Sequence, residues 1–133
     1  MVVDTSAIVA ILLGEAGHEP YVRALADAET CLMAAPTWLE CAMVITTRLG
    51  PRGMDAMERL LAGAVVEVVP FDEELARAAH RAWIQFGKGR HPAALNFGDC
   101  ISYALARRSK APLLFKGLDF AQTDALAAVP ATD

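Results

Sequence analysis

The chain has 133 residues, 55% of them hydrophobic, and a formal net charge of −4. That is enough chain and enough apolar surface to close one core without disulfides or a structural metal, which excludes disorder. No apolar run reaches the ~18 residues of a membrane span, and 16 acids against 12 bases exclude a broadly basic nucleic-acid coat.

The N-terminus has no basic, apolar leader pattern, so the expected compartment is the cytoplasm. Cys31, Cys41 and Cys100 form no CxxC pair and are expected as reduced core thiols. His18, His80 and His91 lack zinc-site spacing. With no linker, repeat or low-complexity stretch, residues 1–133 are expected to form a single domain.

In chain order, Val2-Val3 reads as a short strand. Residues 6–13 read as a helix ending at Gly14, and a second helix spans about His18 to Ala28. Residues 30–35 read as a strand closed by Pro36. A helix follows from Thr37 to about Arg48, stopping at Gly50-Pro51, and another runs from about Met54 to Ala62. Residues 65–69 are β-branched and closed by Pro70, the clearest strand pattern in the chain. Asp72 then caps a helix whose Leu75, Ala79, Ala82, Trp83 and Phe86 make one apolar stripe. Residues 87–92 form a basic, Gly-rich loop, and a helix starts near Gly98. Residues 113–115 read as a strand, and a short strand near Val129 closes the fold. Strands alternating with helices predict an α/β fold on a parallel sheet, whose ligands collect beyond the carboxyl ends of the strands.

Four acids occupy such positions. Asp4 follows the first strand, and Glu40 lies in the first turn of the helix after the second. Asp99 lies in the first turn of the helix after Asn96, and Asp119 follows the last clear strand. Setting these four aside leaves 12 acids and 12 bases. Each acid alone has a simple structural reading. Thr37–Glu40 and Asn96–Asp99 both fit a capping box, Asp4 fits an N-cap, and Asp119 fits a turn. Their joint placement is what suggests a site. Convergent carboxylates repel unless a cation lies between them, and an all-oxygen set favours Mg2+ or Mn2+ over zinc. Such a metal serves phosphodiester hydrolysis.

The motifs around these acids resemble those of PIN-domain toxins of the VapC family. Val2-Val3-Asp4-Thr5-Ser6-Ala7 is similar to that family's first motif, and Ala34-Ala35-Pro36-Thr37-Trp38-Leu39-Glu40 to its second. Residues 87–93 with Leu95-Asn96-Phe97-Gly98-Asp99-Cys100 resemble the third. Leu113 to Phe120 with Thr123-Asp124 resembles the fourth.

The resemblance implies a three-layer α/β/α sandwich with a central parallel sheet of about five strands. It implies an endoribonuclease toxin activated by Mg2+ or Mn2+. Asp4 and Asp99 would be the principal metal ligands, with Glu40 and Asp119 completing the acidic pocket. Glu40 could orient or deprotonate water, and Ser6 could position a carboxylate or serve only as a cap. The resemblance further implies a VapB-like antitoxin, a homodimer, and binding of promoter DNA only through the antitoxin complex. One departure is Lys116-Gly117, where many PIN domains carry Thr or Ser. It makes Asp124 an alternative to Asp119.

Lys88, Arg90, His91 and Lys116 are the candidate phosphate contacts, against the alternative of a solvated loop. Arg107-Arg108 reads as a solvated helix end, and Trp38 and Trp83 read as core. The competing functions are a catalytically inactive PIN-like module that binds RNA or protein, and a metal-dependent phosphatase or DNA nuclease. The chain has no P-loop and no Asp-x-Asp start of a common phosphatase type.

Overall fold

A computed structural model describes all 133 residues. The chain order is β1 (Val2–Val3), α1 (Thr5–Leu12), α2 (Glu19–Asp27), β2 (Cys31–Ala34), α3 (Ala35–Gly63), β3 (Val66–Val69), α4 (Glu73–Phe86), α5 (Phe97–Ser109) and β4 (Leu113–Leu114), then a 3-10 turn at Phe120–Gln122. The strands form one parallel sheet in the order β3-β2-β1-β4. Because a strand sends successive side chains to opposite faces, Val2 and Leu113 enter one core and Val3 and Leu114 the other.

The first core is filled by α4 and α5 through Leu75, Ala82, Ile101 and Leu105. The second is filled by α1, α2 and α3 through Ile8, Tyr21, Ile45 and Met57. This is the expected three-layer sandwich. Chain progression reverses at β1, which has β2 on one side and β4 on the other, and ligands of open α/β sheets bind at such a reversal. No helix is long and apolar enough to cross a membrane.

Three expectations change. The sheet has four strands instead of about five. The segment near Val129 contributes only a bridge between Leu113 and Ala127, because Pro130 has no N–H with which to continue a ladder. The two helices expected between Thr37 and Ala62 run almost without interruption, broken at Gly50 (φ 67°, ψ −159°). Pro51 disfavours helical backbone in the residue before it, yet suits the first position of a new helix, so the second segment starts earlier than Met54.

The capping box on Thr37 and Glu40 does not form. The helix begins directly on β2 with Pro36 in its first turn, which leaves Thr37 inside the helix and Glu40 in its second turn. The box on Asn96 and Asp99 is complete, and Asp4 caps α1 by accepting from the Ser6 N–H.

Candidate active site

A cavity of about 470 Å3 opens above β1 at the carboxyl edge of the sheet. Asp4, Glu40 and Asp99 line it, arriving from β1, α3 and α5. Thr5, Ser6, Glu15 and Lys116 line it too.

Asp4 is 4% exposed, and its position is set by hydroxyls. Its Oδ2 accepts from the Ser6 N–H (3.0 Å) and Ser6 Oγ (2.7 Å), and its Oδ1 accepts from Ser102 Oγ (2.6 Å). Ser6 Oγ in turn accepts from the Lys116 backbone N–H at 3.0 Å, which ties the loop after β4 to the end of β1. Ser6 is therefore both part of the α1 cap and a support for the carboxylate. Ser102 lies 3.5 Å from Thr37 Oγ1, so α3, α5 and β1 meet at one buried hydroxyl pair.

Glu40 accepts from the buried Thr5 hydroxyl at 2.6 Å. Its other side lies against Gly98, where an added Cβ would come within 2.6 Å of Oε2. Asp99 accepts from the Asn96 N–H at 3.0 Å. Burial raises the Asp99 carboxyl from 3.8 to about 7; the Asn96 N–H opposes that rise, while Asp4, Asp119 and Glu40 add to it. The same field reaches the thiols. Cys41 is pushed up to about 12 by burial and then by Asp4 and Glu40, and Cys100 up to about 11 by burial and then by Asp99. Both thiols are buried and neither lines the cavity, so the acidic donors that face it are oxygens.

Asp119 is exposed at the start of the 3-10 turn and does not line the cavity, though it is near enough to raise Asp99. Asp124, the alternative, does not line the cavity either. Its carboxylate accepts from the Tyr103 hydroxyl and from Arg107 (3.2 Å), away from the cavity-lining acids.

Of the four candidate phosphate contacts, only Lys116 lines the cavity. Lys88 is exposed on the α4–α5 loop. Arg90 donates to the Ile84 carbonyl (3.2 Å), and its guanidinium lies 4.9 Å above the Trp83 ring. His91 Nδ1 accepts from the Ala93 N–H at 3.0 Å. Trp83 is not core. It is 40% exposed, because its ring covers a groove between α4 and α5 and supports Arg90. Trp38 does pack against the second core. Arg107 and Arg108 are paired, with Asp124 and Asp72.

Sequence reasoning missed Thr5, Ser102 and Glu15. Ser102 had a signal: it is the polar residue inside the apolar run of α5, one turn beyond Asp99. Thr5 and Glu15 had none.

The donor types here suit a hard divalent cation. They are hard oxygens, and a cation would offset the charges of Asp4, Asp119 and Glu40, which add to burial in raising Asp99. No three of the acidic side chains stand as a group that could hold a metal ion. Asp4 and Glu40 are instead held by neighbouring hydroxyls, and Asp99 by a backbone N–H.

Residues 1–126 match the PIN domain family. The chain is 50% identical over 125 residues to Ribonuclease VapC36 of Mycobacterium tuberculosis, covering 93% of this chain and 90% of that one. It is 47% identical over 127 residues to Ribonuclease VapC of Mycolicibacterium smegmatis, covering 96% and 98%. Its fold is similar to that of M. tuberculosis VapC20, a sarcin–ricin loop cleaving toxin, with a TM-score of 0.76 at 23% identity over 94% of this chain and 95% of that one. A toxin–antitoxin complex from Klebsiella pneumoniae contains a similar fold, with a TM-score of 0.69 at 16% identity over 95% and 94%. A chain that carries the PIN model over nearly its whole length, and half the residues of a VapC ribonuclease, belongs to the PIN-domain family in its VapC ribonuclease branch.

Proposed function

We propose that the cavity above β1 is the centre of a Mg2+- or Mn2+-dependent endoribonuclease, and that the chain is the toxin of a toxin–antitoxin pair. The observation that carries this reading is the convergence of Asp4, Glu40 and Asp99 in one cavity, with Asp99 pushed up to about 7.

Asp4 and Asp99 would hold the metal, with Asp119 adding negative charge at the rim. A bound divalent ion supplies Lewis acidity toward a phosphoryl oxygen and acidifies water. The chain's own groups do the rest. Ser6 and Ser102 fix both oxygens of Asp4, so that carboxylate needs no reorganisation. Thr5 and Gly98 fix Glu40, which would take a proton from water as the water oxygen bonds to phosphorus and the P–O bond to the leaving oxygen breaks; that leaving oxygen gains a proton from solvent. Lys116 would contact a phosphate oxygen. Lys88, Arg90 and His91 would meet phosphates further along the strand.

The substrate would be tRNA or ribosomal RNA, with translation inhibited until a VapB-like antitoxin covers the pocket. Promoter DNA would be bound only through that complex. The chain would act as one domain, in the cytoplasm, as a homodimer. Leu39 and Met43, exposed on α3 next to the site, are available for that contact.

The test is incubation of purified protein with total cellular RNA, with Mg2+ or Mn2+ and with EDTA, beside an Asp99→Asn variant. Discrete fragments that need metal and vanish in the variant are expected. Intact RNA with folded, antitoxin-free protein would refute the reading. Equal cleavage by the variant would remove its support.

A further inference from the structure

Lys116 carries a cation into a cavity built from carboxylates, and Glu15 is its partner. The Lys116 backbone is joined to Asp4 through the single hydroxyl of Ser6, so its side chain starts beside the proposed metal ligands. A four-carbon stem is flexible, and an ammonium is a compact point charge. Left alone among Asp4, Glu40 and Asp99, it would settle onto them and occupy the place of a metal.

It is instead paired with Glu15. Glu15 follows the far end of α1, while Asp4 caps the near end, so the two reach the cavity from opposite ends of that helix. The pair is partly shielded, with the Lys116 and Glu15 side chains 23% and 35% exposed, so water screens it less than a surface pair. An ammonium has three donors, and one carboxylate does not exhaust them.

We propose that Glu15 is a positioning residue. It holds the Lys116 ammonium at the rim of the cavity, keeps it out of the carboxylate centre, and presents its free donors to a non-bridging oxygen of the RNA phosphate. This rests on the ribonuclease reading of the same cavity.

The test uses the full chain as wild type, Glu15→Gln, Lys116→Met and the double variant, each checked for folding by a thermal melt. Mn2+ binding to metal-free protein is followed by electron paramagnetic resonance. Binding of a fluorescein-labelled oligouridylate is followed by anisotropy across a salt series; phosphate contacts carry no sequence choice, so this generic strand suffices.

Glu15→Gln is expected to weaken Mn2+ about tenfold, the size usual for loss of a residue supporting a metal site. Lys116→Met in the same chain restores it. Lys116→Met alone keeps Mn2+ affinity and lowers the slope of log affinity against log salt by about 0.7, one phosphate contact on a single strand. A Glu15→Gln chain that binds Mn2+ like wild type overturns the proposal. So does a weakening that Lys116→Met does not relieve, which is the mark of a merely structural role, or an unchanged salt slope. If wild type itself binds no Mn2+, the metal-dependent reading falls and this proposal with it. If wild type binds Mn2+ and only the variant cycle fails, that reading stands.

Discussion

Asp99→Asn is expected to abolish activity and yet make the metal-free protein more stable above neutral pH. The Asp99 carboxyl rises from 3.8 to about 7, through burial first and then the charges of Asp4, Asp119 and Glu40, against the opposing Asn96 N–H. Between about pH 4 and pH 7 the native state keeps a proton that the unfolded chain has released. Native stability therefore falls as pH rises through that window and levels off above it. At full strength a rise of this size corresponds to about 4 kcal/mol. Asp99 is only half-buried, and solvent screening reduces this to about 2 kcal/mol.

Asparagine carries no charge and can still accept from the Asn96 N–H, so the cap of α5 survives the change. Thermal melts in EDTA across this pH range are the assay. The wild type should lose stability with rising pH while Asp99→Asn stays flat over the window. At about pH 8 the variant should melt roughly 6–10 °C higher. Asp72 is the contrast, another helix-capping acid, held below the usual carboxylate range chiefly by the Leu75 N–H, with Arg108 beside it. Its removal should produce no such gain. Parallel pH profiles for wild type and Asp99→Asn, or a variant less stable at pH 8, would refute the view that the acids strain one another.

Gly98→Ala should separate activity from stability. Its new Cβ would stand 2.6 Å from Glu40 Oε2 and displace that carboxylate, while alanine in the first turn leaves the helix itself intact. Cleavage assays should show a large loss with an unchanged or raised Tm; full activity would mean that Glu40 needs no fixed position. Ser102→Ala removes the hydroxyl that donates to buried Asp4 Oδ1 and should cost about 1.5–3 kcal/mol in denaturant melts as well as most of the activity. Mn2+ at a hundred times its dissociation constant should stabilise the wild type by about 2.7 kcal/mol, EDTA should reverse this, and Asp99→Asn should show little of it. An equal Mn2+ shift in the variant would place the metal elsewhere.

The elements were legible where one local rule governed them. Asn96 and Asp99 form the capping box their spacing suggested, and Asp72 caps α4. Gly50 breaks α3 where Gly-Pro required it. Where tertiary contact decides, the pattern misled. Thr37 and Glu40 have capping-box spacing, but Ala35 and Pro36 continue directly from β2 into helix, and the Thr37 hydroxyl faces Ser102 instead. Trp83 falls on the apolar stripe of α4 yet stays 40% exposed, lining an open groove with the Arg90 guanidinium over its ring. The acids Asp4, Glu40 and Asp99 were readable as carboxylates near strand ends. Thr5 and Glu15, which hold them or their neighbours, were not, and Ser102 showed only as a polar residue in an apolar run, since the contacts run between α1, α3, α5 and the loop after β4.

Capping and metal binding are not alternatives at this site, because a carboxylate has about four lone-pair positions. Asp4 commits three of them to Ser6 and Ser102, so it is rigid and has room for one further partner. Asp99 commits one, to Asn96, and keeps the rest free where burial and the neighbouring acids raise its carboxyl. Glu40 commits one to Thr5 and is confined by Gly98. The proposed reading therefore assigns unequal work. Asp4 gives a cation a fixed anchor, Asp99 gives it the most to gain in relieved repulsion, and Glu40 is held back with a free oxygen for a proton. The bonds that make these acids helix caps and hydroxyl acceptors are the bonds that orient them, which is why each acid taken singly looks structural and only the three together look like a nuclease.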